Sequence, residues 1–435
     1  MALAAPRTIA TYELREWDTR ELGEHPLTAA DRRLLAELAS DGRVLSDDLR
    51  TGLRVRTRSW VGVVRLSSVE IRIMPKLLGP STWLVAMLDF AGGVDTLQRL
   101  AQNQTVDASG DNLLELFTLL LCDAAQTLWD GGLLADYVEV EEDLPLVRGR
   151  ILYDQQIRRR FGRLDRISCR YDERETDVAE NQLVAAALEV AARRTRSLTL
   201  RHRTRRLADL FREQCSPEGL DLRAARGAFT YHRLNQHYAG AHQLAWLVLD
   251  GLGIRDLHAS GRTDCFAFLF DMNALFEAFV DRLVRSLLTP EGAVIASQRK
   301  DRSVLRDVAT AKPYASVIPD LLVSGIGPTR LPIDAKYKQY EGEKADRADI
   351  YQAFLYAMAY GTKTGPDART LLLYPSSSDT VAVRRIAVHN EHFGATAEIR
   401  LCGIPVAKLL AEHPAGGPTT SVLRSSLLNA CRTSA

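Results

Sequence analysis

Residues 318–338, "IPDLLVSGIGPTRLPIDAKYK", limit the possible folds more than any other stretch. Two short apolar runs flank "SGIGPTR" (324–330), a turn-rich linker, so the segment reads as a β-hairpin. A hairpin centred on Gly327 sets the residues seven before and seven after opposite each other, which are Asp320 and Asp334. Strand side chains alternate, so Asp334 and Lys336 share a face. A helix at about 346–360, closed by Gly361, and the strand "RTLLLYP" (369–375) follow, with further strands over 380–388 and 396–401. Upstream, 268–288 reads as an amphipathic helix with a short lead-in and an apolar stripe of Phe276, Phe279, Leu283 and Leu287. Strand candidates at 292–297 and 303–308 separate it from the hairpin. The expected class is therefore multidomain α/β.

Two carboxylates brought together repel unless a cation sits between them. Mg²⁺ takes a few carboxylates and leaves positions for water and substrate phosphate. A lysine alongside can orient a water or stabilise a pentavalent phosphate. Asp320, Asp334 and Lys336 thus suit phosphodiester hydrolysis. By chance a D-x-K triplet occurs roughly once per 300 positions. This one is the single D-x-K or E-x-K in a chain with eight lysines against 48 arginines. The competing reading is a surface ion pair on an edge strand.

Gln352 and Tyr356 share a helical face and could support a phosphate or a catalytic side chain. The alternative is a solvated glutamine and a packed aromatic. Glu277 lies at the margin of its helix's apolar stripe, either snorkelling or buried with a partner such as a metal.

The remaining chain divides by pattern into a β-rich module at 1–90, a mainly helical region at 91–250, an α/β domain at 251–412 and a loose tail at 413–435. In 53–77 a hairpin turn falls at 66–68, with Val69, Ile71 and Ile73 on one face and Glu70 and Arg72 on the other. Helical patterns occupy 82–136, broken at 91–93 and 130–132, then 176–208 and 234–250. Between 145 and 206 there are 16 arginines and 8 acidic residues, a local balance of +8. Such a patch suits sequence-blind phosphate contact, or else pairs with the acids at 172–180.

Net charge is only +1, so attraction to nucleic acid must be local. A content of 46% hydrophobic and 26% charged residues argues against global disorder. Six cysteines without a CxxC pair read as reduced and buried, and the N-terminus lacks a signal-peptide pattern, so the expected compartment is the cytoplasm. There is no GxxxxGK[ST] phosphate loop and no HExxH or HxH motif; His202, His232, His237 and His242 read as surface or core residues.

Together "PD" (319–320), "DAK" (334–336) and the Gln352–Tyr356 spacing resemble the RecB-like branch of the PD-(D/E)xK nucleases. More narrowly, "VEIRIMPKL" (69–77), "LVRGRI" (146–151), "CRYDERETDVAENQLVAAAL" (169–188), "FLFDMNALFEAFV" (268–280) and "PIDAKYK" (332–338) resemble the McrC family, in that family's order. The resemblance implies a restriction-endonuclease-like α/β/α domain. It also implies a metal site of Asp320, Asp334 and Glu277, holding Mg²⁺ or Mn²⁺, and a catalytic set of Asp320, Asp334, Lys336, Gln352 and Tyr356. It further implies docking of the N-terminal β-rich region on an McrB-like AAA+ GTPase ring. That partner would handle the nucleotide and recognise methylated double-stranded DNA, which this chain cuts. Two other expectations stay open: a structural activator of the ring with a vestigial nuclease site, and a RecB-like exonuclease acting alone.

Overall fold

The computed structural model describes residues 9–50, 52–76, 81–92, 113–162, 165–252, 265–327, 330–341, 344–361, 368–390, 394–413 and 415–432. The helical reading of 93–112 lies outside the described residues. The chain forms two compact units, Met1–Leu113 with Arg262–Ala435, and Leu114–Gly261.

The first unit opens with β1 (Ala10–Arg15), β2 (Thr19–Leu22), α1 (Ala29–Ser40), β3 (Val44–Leu49), β4 (Gly52–Thr57), β5 (Trp60–Arg65), β6 (Val69–Met74) and α2 (Ser81–Gly92). Thr28 and Asp31 form a capping box at the start of α1. The expected turn at 66–68 joins β5 to β6. Val69, Ile71 and Ile73 point into a core with Leu14, Leu35, Leu53 and Val64. On the opposite face Glu70 is also buried, paired with Arg65 at 2.8 Å and Arg72 at 3.0 Å.

The second unit contains α3 (Leu113–Gly131), β7 (Asp136–Leu144), β8 (Arg150–Ile151), α4 (Tyr153–Arg160), β9 (Ile167–Glu175), α5 (Ala179–Arg194), α6 (Leu198–Arg212) and α7 (Ala239–Leu252). β7, β9 and β8 form an antiparallel sheet. The helical pattern of 176–208 is two helices. Thr195 is extended and returns its hydroxyl to Ala191 O at 2.7 Å, while Ser197 caps α6. The helix expected from 234 begins at Ala239, after a 3₁₀ turn whose buried Tyr238 donates its hydroxyl to Asn181 Oδ1 at 2.7 Å.

The chain returns to the first unit with β10 (Phe266–Asp271), α8 (Met272–Leu288), β11 (Val294–Ser297), β12 (Asp301–Arg306), β13 (Pro313–Val317), β14 (Leu321–Ser324), β15 (Leu331–Ala335), α9 (Arg347–Tyr360), β16 (Arg369–Pro375), β17 (Ala382–Asn390), β18 (Gly394–Ile404), α10 (Val406–Glu412) and α11 (Pro418–Cys431). The lead-in to α8 is thus a strand. It pairs antiparallel with β5 and completes a sheet of order β1-β6-β5-β10. The pairing requires glycine at 62, where φ is +137° and a Cβ would meet Phe268 O at 2.0 Å. Divisions at residues 90 and 250 therefore cut through a shared sheet, because strand pairing links segments far apart in sequence.

The six-stranded sheet has order β11-β14-β15-β16-β18-β17. β15, β16 and β18 are mutually parallel, and the outer pairings are antiparallel. β16 is buried at every residue, as expected for a parallel strand covered on both faces. On one face Leu372, Tyr374, Ile399 and Leu401 pack with Ala353 of α9.

The loose tail expected from 413 is contradicted. Although Pro414 lies outside the described residues, 418–431 is a helix that buries Leu423, Leu427 and Ala430 at helical spacing. Its first turn is held by Glu412, which accepts from Thr419 N at 3.1 Å and Thr420 N at 2.9 Å. The Gly, Ser and Thr content that suggests disorder here serves a helix start and an exposed face.

Candidate active site

The hairpin register places the two acidic residues. β14 and β15 pair Leu321 with Ile333, Leu322 with Pro332 and Val323 with Leu331, so the next pair outward is Asp320 with Asp334. The turn centre is at Gly327, as the spacing predicts. Ala335 N donates to Asp320 Oδ2 at 2.7 Å, and the Asp334 carboxyl stands close enough to Asp320 to raise it. Asp334 is 2% exposed. Burial first, then the Asp334 charge, push Asp320 up to about 7, against the lowering effect of the Ala335 N–H.

Lys336 continues the β15–β16 pairing through its N–H to Leu373 O at 2.8 Å. Its Nζ lies 2.8 Å from Asp334 Oδ2 and donates to Gln352 Oε1 at 3.1 Å. Burial pulls the ammonium down, but Asp334, Asp349 and Asp320 outweigh it and hold the pKa above the usual lysine value. Lys336 is therefore a fixed positive charge at neutral pH, suited to stabilising negative charge. Gln352 Nε2 donates to Tyr356 Oη at 2.8 Å, and Tyr356 donates onward to Ile318 O at 2.8 Å. Desolvation raises this phenol to about 12, so it stays a donor. Surface solvation does not describe these residues: they form one chain of polar contacts from Asp334 to the backbone beside Pro319.

Glu277, on α8, is half-buried and accepts from Gln298 Nε2 at 2.5 Å. Its charge contributes to raising Asp320. Gln298 follows β11, has φ +45°, and donates its N–H to Asp320 O at 2.8 Å. A left-handed non-glycine residue is strained and is held by its surroundings. Gln298 therefore links Glu277 to Asp320. Nothing in "ASQRK" marks it, because its role comes from the edge strand ending opposite Asp320.

Among the described residues no three His, Cys, Asp or Glu side chains form a metal-binding group. What the fold supplies is a half-buried Asp320 beside a buried Asp334, with Glu277 turned to Gln298. Asp334 Oδ2 is buried without a well-directed hydrogen bond despite its ion pair with Lys336. Two close carboxyls, one with a buried oxygen that lacks a directed hydrogen bond, fit a hard divalent cation that completes its shell with water and phosphate.

In the arginine-rich region, Arg148 pairs with Glu173 at 3.3 Å, Arg160 with Asp143 at 2.9 Å and Arg203 with Asp123 at 2.6 Å. Arg158, Arg159, Arg205 and Arg206 are exposed. The acids at 172–180 thus account for only part of the pairing. His242 is fully buried, contacts Tyr231 Oη at 2.9 Å and Glu180 O at 3.0 Å, and is lowered to about 4 by burial. All six cysteines are free and buried. Among the described residues no helix is long and apolar enough to cross a membrane.

The fold is similar to known structures. A chain in a refined half-complex, from a tetradecameric assembly of Thermococcus gammatolerans McrB AAA+ hexamers with bound McrC, superposes with a TM-score of 0.65 at 20% identity. That match covers 97% of this chain and 100% of the other. A chain of the cryo-EM structure of the Thermococcus gammatolerans McrBC complex gives 0.46 at 25% identity, over 64% of this chain and 88% of that one. No curated protein matches. The family model described as McrBC 5-methylcytosine restriction system component matches residues 55–375, a span that contains Glu277, Gln298, Asp320, Asp334, Lys336, Gln352 and Tyr356. The chain belongs to this family of McrBC 5-methylcytosine restriction system components.

Proposed function

We propose that this chain is the McrC-like, PD-(D/E)xK nuclease subunit of a modification-dependent restriction complex, cutting DNA by metal-assisted phosphodiester hydrolysis. The observation that carries the reading is the connected set Asp320–Asp334–Lys336–Gln352–Tyr356 at the end of a β-hairpin, with Asp334 and Tyr356 buried and the other three half-buried. A structural ion pair needs no second carboxylate beside it, because that carboxylate adds repulsion and desolvation.

Asp320 and Asp334 would hold Mg²⁺, with Glu277 reaching it by leaving Gln298. Bound there, the ion supplies Lewis-acid polarisation of the scissile phosphate and a more acidic water. Lys336 places its ammonium where negative charge develops on the phosphate. Gln352 fixes the lysine, and Tyr356 fixes Gln352 by anchoring to Ile318 O. The exposed arginines of α4 and α6 would contact DNA backbone without reading sequence.

A McrB-like AAA+ GTPase ring is the proposed partner, in keeping with the McrB hexamers that bind McrC in the structural relative. Docking would use the N-terminal β-rich region, and this chain would stimulate the ring's GTP hydrolysis. The deciding experiment combines the purified chain with its partner ring, GTP, Mg²⁺ and methylated DNA. Asp334→Ala should abolish cleavage while the partner's GTPase stimulation persists. Undiminished cutting by Asp334→Ala would end the assignment. Stimulation without any cutting by wild type, in Mg²⁺ or Mn²⁺, would leave a ring activator.

A further inference from the structure

Just beyond Lys336 the chain borders a cavity of about 560 Å³, within the ~300–1,000 Å³ range of ligand sites. Its wall includes Glu16 and Trp17 after β1, Lys76 after β6, and Tyr337 and Lys338 after β15. Lys338 N donates to Lys336 O at 2.8 Å, so this wall and Lys336 are adjacent in space as well as in sequence.

Glu16 is 1% exposed. Its Oε2 accepts from Lys76 N at 2.8 Å and from Tyr337 Oη at 3.0 Å, whereas Oε1 is buried with no hydrogen-bond partner. Buried polar atoms without partners are uncommon and call for a missing donor. Trp17 is 58% exposed and its backbone is left-handed at φ +64°, so a large indole is presented to solvent from a strained position. Two of the chain's eight lysines, Lys76 and Lys338, stand beside it, and Lys338 Nζ is also paired with Asp349 at 2.7 Å and Asp346 at 3.6 Å. Glu341, also on the wall, is already engaged by the Ser376 and Ser377 hydroxyls.

We propose that this cavity receives one nucleotide of the DNA being cut. Its base stacks on Trp17, the hydrogen-bonding edge of the base meets Glu16 Oε1, and its phosphate lies beside Lys76. An apolar ligand would leave Oε1 orphaned. Of the two carboxyls on the wall, Glu341 is held by two serine hydroxyls and Glu16 is buried, which with two lysines beside them makes a poor cage for a cation. A base with an attached phosphate answers the buried carboxyl, the exposed ring and the Lys76 ammonium together. The assignment rests on the nuclease reading, since adjacency to Lys336 puts the cavity on the path of a strand leaving that site.

The test measures binding of a labelled single-stranded oligonucleotide to the full chain in Ca²⁺, by fluorescence anisotropy, with an abasic nucleotide moved along the strand. Trp17→Ala should weaken binding by about 5- to 160-fold, the range for loss of one base–aromatic stack. One abasic position should cost wild type a similar factor and cost Trp17→Ala nothing further. Lys76→Ala should weaken all oligonucleotides alike and lower the salt slope by about one. Melting curves of each variant should match wild type. Equal binding by wild type and Trp17→Ala, a flat abasic scan, or no binding by wild type would overturn the proposal. Trp17-dependent binding of free GTP with a flat scan would make this a free-nucleotide site and overturn it as well. The readout is separable from catalysis. Abasic-sensitive binding without cleavage would spare the subsite and sink the nuclease reading, and cleavage with a flat scan would do the reverse.

Discussion

The Tyr337 hydroxyl donates to Glu16 Oε2 at 3.0 Å, joining the residue after Lys336 to the residue after the first strand. Burial first, eased by the Lys76 N–H and Tyr337 bonds, pushes this carboxyl up to about 7 from 4.5.

The folded state then holds a proton on Glu16 that the unfolded chain releases above pH 4.5. The group's stabilising contribution is complete below that value and is lost as pH rises through 7. Glu16→Gln should therefore match wild type near pH 4 and exceed it at pH 8 by up to about 3 kcal/mol. Urea melts at the two values check this. A constant difference across pH would show that Glu16 is not the titrating group.

Asp320 is the corresponding group for metal affinity. With a carboxyl raised to about 7, cation binding must displace a proton, so Mg²⁺ affinity should fall as pH drops below 7. Adding Mg²⁺ at about 100 times its Kd should stabilise wild type by about 2.7 kcal/mol, and chelation should remove the effect. Asp320→Asn should show no such gain. A full Mg²⁺-induced rise in its melting temperature would place the metal elsewhere.

Lys336→Ala should reduce cleavage by about 10²–10³-fold, as for loss of one preorganised electrostatic donor. Tyr356→Phe removes the bond to Ile318 O and frees Gln352. It should cost about 1–3 kcal/mol of stability and slow cleavage less than Lys336→Ala does, because it acts through two intermediaries. Single-turnover rates and chemical melts separate the two effects. A larger rate loss for Tyr356→Phe than for Lys336→Ala would make the phenol the catalytic group.

Leu427 is 1% exposed on the C-terminal helix. Leu427→Ala should destabilise the fold by about 2–5 kcal/mol, measurable by urea denaturation. Insensitivity would mean that the helix packs without contributing.

The hairpin and its facing aspartates were legible because both signals are local: the turn chemistry of "SGIGPTR" and the two-residue period of strands. Gln352 and Tyr356 were legible as a spacing, since four residues make one helical turn. Gln298 was not, because an edge strand from far upstream brings it to Asp320 O. Glu16 was missed for the same reason: its partner Tyr337 is 321 positions away. The pairing of β5 with β10 was hidden in a lead-in that reads equally well as the start of a helix. The C-terminal helix was masked by composition, where Ser and Thr, most of them on an exposed face, outweighed five buried positions.

The β5–β10 seam also constrains the order of birth. Emerging from a ribosome, β5 is left with a bare flank until its neighbour, roughly 200 residues later, is made, an interval of about 10–40 s at ordinary elongation rates. During that interval a row of unsatisfied amides is open to the wrong strand, so nascent chains of this protein should depend on a chaperone until residue 271 has cleared the exit tunnel.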